Sequence, residues 1–286
     1  MGSSFPRTNV GGLSVSRMII GTNWFLGFSH TSKASNEFIK AHMDRAKIAG
    51  VIEVFFRAGV NAIMGWLTTP VMVEAIKDAE DRTGVGAVRI STPILPTTPQ
   101  TPADGFNLDE VAKILDAEAA VGTQIFMPHQ ATTDALVDRC TRQVRQMAAV
   151  CRLIRERGMI PGLSTHMPET IVYADESKLD VETYISIYNS AGFLMQVEVD
   201  WTAGVIAAAA KPVMTIKPMA AGRLPPFQGL TFVWNTIRPQ DMVTVGTLYP
   251  GEAAECIELS LSILERRSAK VDLQETRSKA SVKKKS

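Results

Sequence analysis

Two textures alternate along the chain. Short apolar runs rich in Val, Ile and Met are each followed by a longer stretch whose apolar positions recur three and four residues apart. The runs predict eight strands, at 18–23, 62–66, 88–92, 124–129, 160–166, 193–200, 213–217 and 242–247. The longer stretches predict helices at 35–57, 70–82, 108–120, 133–157, 168–176, 181–190, 201–210 and 251–267, with a short extra helix at 230–237. Punctuation agrees: Asn107 suits an N-cap, Gly158 and Gly192 suit left-handed C-caps, and Pro70, Pro168 and Pro250 stand near helix starts, where a missing amide costs least.

Eight β-then-α units in series predict an α/β fold, a closed parallel (β/α)₈ TIM barrel. The competing open, doubly wound sheet usually carries a GxGxxG turn after its first strand, and here that turn reads GTNWFLG. The polar, turn-rich stretch 9–16 predicts an N-terminal hairpin at the barrel bottom. Residues 1–267 form one predicted domain, and 268–286 read as a charged, flexible tail ending in KKKS.

Composition narrows the function classes. A chain of 286 residues, 45% hydrophobic, suits one barrel better than two smaller domains. A net charge of +1 offers no broad field for nucleic acid or a membrane surface. No apolar stretch approaches the roughly 20 residues that span a bilayer, and the opening MGSSFPRTN lacks the apolar core of a signal peptide. Cys140, Cys151 and Cys256 are odd in number, widely spaced and placed in helical patterns, as reduced thiols would be. The expectation is a cytoplasmic protein with a small-molecule ligand and no nucleic-acid or membrane partner; the pattern leaves a homo-oligomer open. Neither Ser91 nor Ser164 sits in GxSxG, and no Walker loop or zinc-protease helix occurs.

Six stretches, in order, resemble the aldo/keto reductase family. They are VGGLSVSRMIIGT, AGVNAIMG, IFMPHQ, GLSTH, IKPMAAGRL and MVTVGTLYPGEAAECIELSL, which span about residues 8–266. The resemblance implies a barrel and, for ordinary members, hydride transfer from a nicotinamide cofactor to a carbonyl, with an Asp, Tyr, Lys and His tetrad. Here the corresponding positions hold Met64, Thr69, Pro93 and His129, so only the histidine matches. Methionine, threonine and proline cannot make a tuned proton donor. The resemblance assigns Ser164, Gln196 and the loop at Gly222 to a nicotinamide nucleotide, should one bind. It also puts Val199 where a stacking tyrosine is usual, and Glu252 and Glu255 where a 2′-phosphate would meet basic residues. Reduction driven by NAD(P)H is therefore disfavoured.

Barrel active sites lie at the C-terminal strand ends, which directs attention to a polar set of His129, His166, Glu198 and Lys217 as catalytic candidates. On the predicted sixth strand Gln196, Glu198 and Asp200 alternate and so share a face. His129, His166 and Glu198 suit a divalent metal with open positions. Without metal, a His and a Glu suit proton exchange beside a carbonyl, and a desolvated Lys217 suits a Schiff base. Glu198 and Lys217 pairing only with each other is the structural alternative. Trp24, Trp66 and Trp201, with His30 on the long first loop, offer substrate contacts suited to sugar rings. The leading expectation is isomerase- or lyase-type chemistry on a small polar carbonyl or sugar-like metabolite. A divergent NAD(P)H oxidoreductase and a non-catalytic ligand-binding barrel are the alternatives.

Overall fold

A computed structural model describes residues 4–96, 107–271 and 276–282. Its barrel strands are β1 (Met18–Gly21), β2 (Ala62–Gly65), β3 (Val88–Ser91), β4 (Ile125–Phe126), β5 (Ile160–Pro161 with Leu163–Ser164), β6 (Tyr184–Ile187), β7 (Val213–Ile216) and β8 (Met242–Val245). All pair in parallel in chain order, and β8 closes on β1 with Val243 opposite Met18. The two halves of β5 serve different neighbours: Ile160–Pro161 pairs with β4 and Leu163–Ser164 with β6. Gly162 between them carries no side chain because a Cβ there would lie 2.9 Å from the Thr183 carbonyl oxygen.

Strand alternation sorts the core into two layers. Ile19, Met64, Ile90, Ile125, Met127, Ile185, Met214 and Met242 fill the barrel interior. Met18, Ile20, Ile63, Phe126, Leu163, Tyr184, Val213 and Val243 face outward, under the helices. Fully burying one such aliphatic or aromatic side chain contributes about 1.5–3 kcal/mol, so a one-residue slip of a strand would forfeit several at once. The hairpin Arg7–Val10 and Leu13–Ser16 closes the barrel bottom, and its Val10 and Val15 join the interior layer.

Several elements depart from the sequence reading. The expected helix at 35–57 is two helices, Lys33–His42 and Arg45–Arg57, because Asp44 takes an extended conformation and caps the second through Lys47 N. The expected helix at 133–157 is a short turn, a hairpin of Val137–Asp138 with Gln143–Val144, and only then a helix, Met147–Glu156. Cys140 consequently sits exposed at the hairpin tip; Cys151 and Cys256 are buried in helices. The extra helix runs over Pro226–Thr236.

The largest correction concerns β6. The buried run Tyr184–Ile187 is the strand, where the apolar spacing had predicted a helix. Short apolar runs of this kind are ambiguous by periodicity alone. Tyr184 donates its amide N–H to the Pro212 carbonyl and its hydroxyl to Asp175 at 2.6 Å, which fixes it beneath a helix. The alternating segment 193–200 is instead a turn followed by the helix Val199–Ala208. Asn189 forms the turn, accepting from Phe193 N and donating to Phe193 O through its side chain. The expectation of a flexible tail at 268–286 falls partly outside the described residues, and within it Arg277–Val282 is a short helix.

Candidate active site

At the C-terminal ends of the strands lies a cavity of about 710 Å³. Its polar end gathers His30, His129, His166 and Lys217, each delivered by a different connection. Its lining also includes the aromatics Trp24, Phe28 and Trp66 and the charged residues Arg223, Glu252 and Glu255.

Parity explains two of these placements. His129 continues the inward register of Met127, and His166 that of Ser164. Lys217 is different. Met214 and Ile216 face the barrel interior, so regular alternation would send the next residue outward. Lys217 instead has φ of 60°, and that left-handed residue returns its side chain to the cavity. Ala220 (φ 50°), Ala221 (φ 54°) and Gly222 (φ 87°) continue the distortion. Left-handed backbone costs a non-glycine residue roughly 1–2 kcal/mol, which the surrounding packing has to offset.

The titratable groups are displaced in one direction. Burial lowers Lys217 from the usual lysine range to about 8. Burial, then the Lys217 charge, lowers His30 to about 4 and also depresses His129. His166 falls to about 3 through burial, Lys217 and the two other imidazoles. All three imidazoles are neutral at pH 7, and a substantial fraction of Lys217 amine is free near pH 8. Among the described residues no carboxylate forms an ion pair with Lys217.

Local bonds orient the imidazoles. His129 caps a one-turn helix, its Nδ1 accepting from Ala131 N at 3.2 Å. With Nδ1 engaged as acceptor, Nε2 carries the proton of the neutral ring. His30 Nε2 lies 3.2 Å from the Asn23 amide nitrogen. Behind His166, Asp134 accepts from Thr165 Oγ1 at 2.5 Å and from His166 N at 3.1 Å. Burial raises the Asp134 carboxyl to about 6 despite these bonds. Trp66 donates its indole N–H to Thr92 O at 3.1 Å and meets Phe28 edge to face, forming a fixed aromatic wall beside His129.

Not every predicted site residue arrives here. Glu198 is exposed at the N-cap of the Val199–Ala208 helix and does not line the cavity. It neither pairs with Lys217 nor joins His129 and His166, so the expected metal set is not assembled. Among the described residues no three His, Cys, Asp or Glu side chains stand close enough to hold a metal ion. Gln196 is exposed on the same connection, away from Ser164 and Gly222, which do line the cavity. Trp201 is 69% exposed and outside the cavity, unlike Trp24 and Trp66. All three corrections follow from the relocation of β6. Phe28, Asp134 and Arg223 escaped the sequence reading. Arg223 lies within the IKPMAAGRL stretch, but Asp134 falls inside a predicted helix and gives no signal.

The residues present do not fit a nicotinamide reductase. Met64 lines the cavity wall; Thr69 is an N-cap whose buried hydroxyl has no bonding partner; Pro93 serves only as a backbone acceptor for His129 N. Among the described residues no tyrosine or aspartate lines the cavity, while Glu252 and Glu255 do.

Eight parallel strands, surrounding helices and a cavity at the strand C-termini define a TIM barrel. The chain has the aldo/keto reductase-like form of that fold. A protein assigned as an aldo-keto reductase from Pseudomonas aeruginosa superposes with a TM-score of 0.63 at 16% identity, covering 90% of this chain and 96% of its own. The glycerol dehydrogenase of Gluconobacter oxydans superposes with a TM-score of 0.55 at 11% identity, covering 94% and 99%. An aldo-keto reductase from a Medee basin deep-sea metagenome gives 0.56 at 10%, covering 94% and 98%. No protein-family model and no curated protein matches the sequence. Likeness at these identities establishes the fold and leaves the chemistry to the site.

Proposed function

We propose that the protein is an enzyme of the isomerase or lyase type that works on a small polar carbonyl compound through the amine of Lys217. The carrying observation is this amine at the cavity wall, unpaired by any described carboxylate and facing three imidazoles. Desolvation makes the neutral, nucleophilic form accessible near neutral pH.

In the first step the Lys217 nitrogen attacks the carbonyl carbon, the carbonyl oxygen leaves as water, and a C=N bond replaces C=O. Protonated, that iminium withdraws electrons from the neighbouring carbon, so a C–H or C–C bond there breaks with its electron pair drawn toward nitrogen. A neutral imidazole then accepts the released proton and later returns it. His129, with its acceptor nitrogen engaged by Ala131, presents an N–H donor. His166 supplies the acceptor, since the Asn23 amide already occupies Nε2 of His30, and Asp134 positions the strand end that carries His166. The aromatic wall of Trp66 and Phe28 packs against the carbon skeleton.

Borohydride treatment in the presence of small aldehydes and ketones tests the reading. The expected result is a covalent adduct, located by peptide mass spectrometry on Lys217 and absent from Lys217→Met. Adducts spread over surface lysines, with none on Lys217, would sink the proposal.

A further inference from the structure

Among the described residues no carboxylate pairs with Lys217. After β1 the cavity receives His30, after β4 His129, after β5 His166 and after β7 Arg223. Among the described residues, the ends of β2, β3 and β6 bring Met64, Thr92 and Ile185, which carry no charge. The cavity's carboxylates, Glu252 and Glu255, come from the helix Pro250–Leu264 after β8. Neither forms an ion pair with Lys217 or Arg223, and Glu252 accepts from Leu248 N at 2.7 Å. The Arg223 guanidinium stacks 4.0 Å from the Phe193 ring centre and donates to Ala220 O.

A cation held in a cavity without a counter-ion among the described residues favours an anionic occupant, because that ligand supplies a balancing charge where water is scarce. The neutral imidazoles reinforce the preference by offering N–H donors and no negative charge.

We infer that the substrate is a small 2-oxo acid, its carboxylate held by the imidazole N–H groups around Lys217 while its carbonyl faces the lysine amine. The inference rests on the reading of Lys217 as the attacking amine. A carboxylate adjacent to the carbonyl suits this cluster, since one ligand head then reaches both the amine and the imidazoles. Anion binding stabilises the protonated forms of Lys217 and the histidines, so it is accompanied by proton uptake and weakens as Lys217 loses its charge above pH 8.

Pyruvate, and hydroxyacetone as its uncharged counterpart, distinguish this inference from the amine reading. Titrations following Trp24 and Trp66 fluorescence are expected to show pyruvate binding about tenfold or more tighter at pH 7, with the gap narrowing by pH 9. Lys217→Arg keeps the cation and is expected to retain the pyruvate preference while losing borohydride trapping; Lys217→Met is expected to lose both. Equal affinity for the two ligands, or no saturable pyruvate binding, overturns the carboxylate inference, even where both are trapped on Lys217. A pyruvate preference without any trapped adduct supports carboxylate recognition and removes the amine chemistry.

Discussion

At the residue scale, single backbone angles decide where the chemistry sits. Gly65 ends β2 with φ of 147°, and a Cβ there would lie 1.8 Å from Thr22 Oγ1. Gly65→Ala combines an unfavourable dihedral with overpacking, and we expect it to destabilise the fold by about 2–4 kcal/mol, read as a lowered urea midpoint. The histidines make a second prediction. His166 is neutral in the folded protein and titrates near its ordinary value when unfolded, so the unfolded state takes up the extra proton. Its contribution to stability is therefore intact above pH 6.5 and falls away as pH drops from about 6.5 toward 3. Asp134 acts in the opposite sense, since its raised carboxyl binds a proton in the folded state between about 6 and 4. His166→Gln should lose less stability than the wild type between pH 7 and pH 5. Equal losses would mean that His166 is not held neutral.

Elements place these residues, and their placement depends on contacts far away in sequence. The segment joining the Pro226–Thr236 helix to β8 is fixed by Asp241, which is fully buried. It accepts from Val213 N at 2.8 Å and from Arg238 at both carboxylate oxygens. Arg238 in turn reaches the carbonyls of Ala209 and Lys211, and Arg17 donates to Asp241 O and Arg238 O. Removing one member strands the rest, so Asp241→Ala is expected to cost about 3–5 kcal/mol, measured by denaturant unfolding. A near-neutral result would show that the network relaxes without loss. Strands such as β2 and β8 were legible because Ala62–Gly65 and Met242–Val245 are buried, predominantly apolar runs between clear breaks. β6 was not, because Thr183–Tyr188 and 193–200 both carry apolar residues at suggestive spacings. Only the Pro212 bond to Tyr184 and the Asn189 turn distinguish them.

For the whole molecule, the fold is an aldo/keto reductase-like barrel whose mouth has no tyrosine or aspartate among its described lining residues. Titration with NADPH or NADH is expected to leave the fluorescence of Trp24 and Trp66 without saturable quenching up to millimolar concentrations. Micromolar saturation would return the oxidoreductase reading. Among the described residues no helix is long and apolar enough to cross a membrane. Seven of the eight barrel strands, with the strand-end positions of His129, His166 and Lys217, were legible in local periodicity, and the bottom hairpin in its turn-rich composition, both of which a sequence carries openly. The exclusion of Glu198, Gln196 and Trp201 was decided only in the tertiary structure, because one strand assignment moves every side chain that follows it. The return of Lys217 to the cavity was decided there too, since a left-handed residue at a strand end leaves no mark in the pattern of apolar and polar positions.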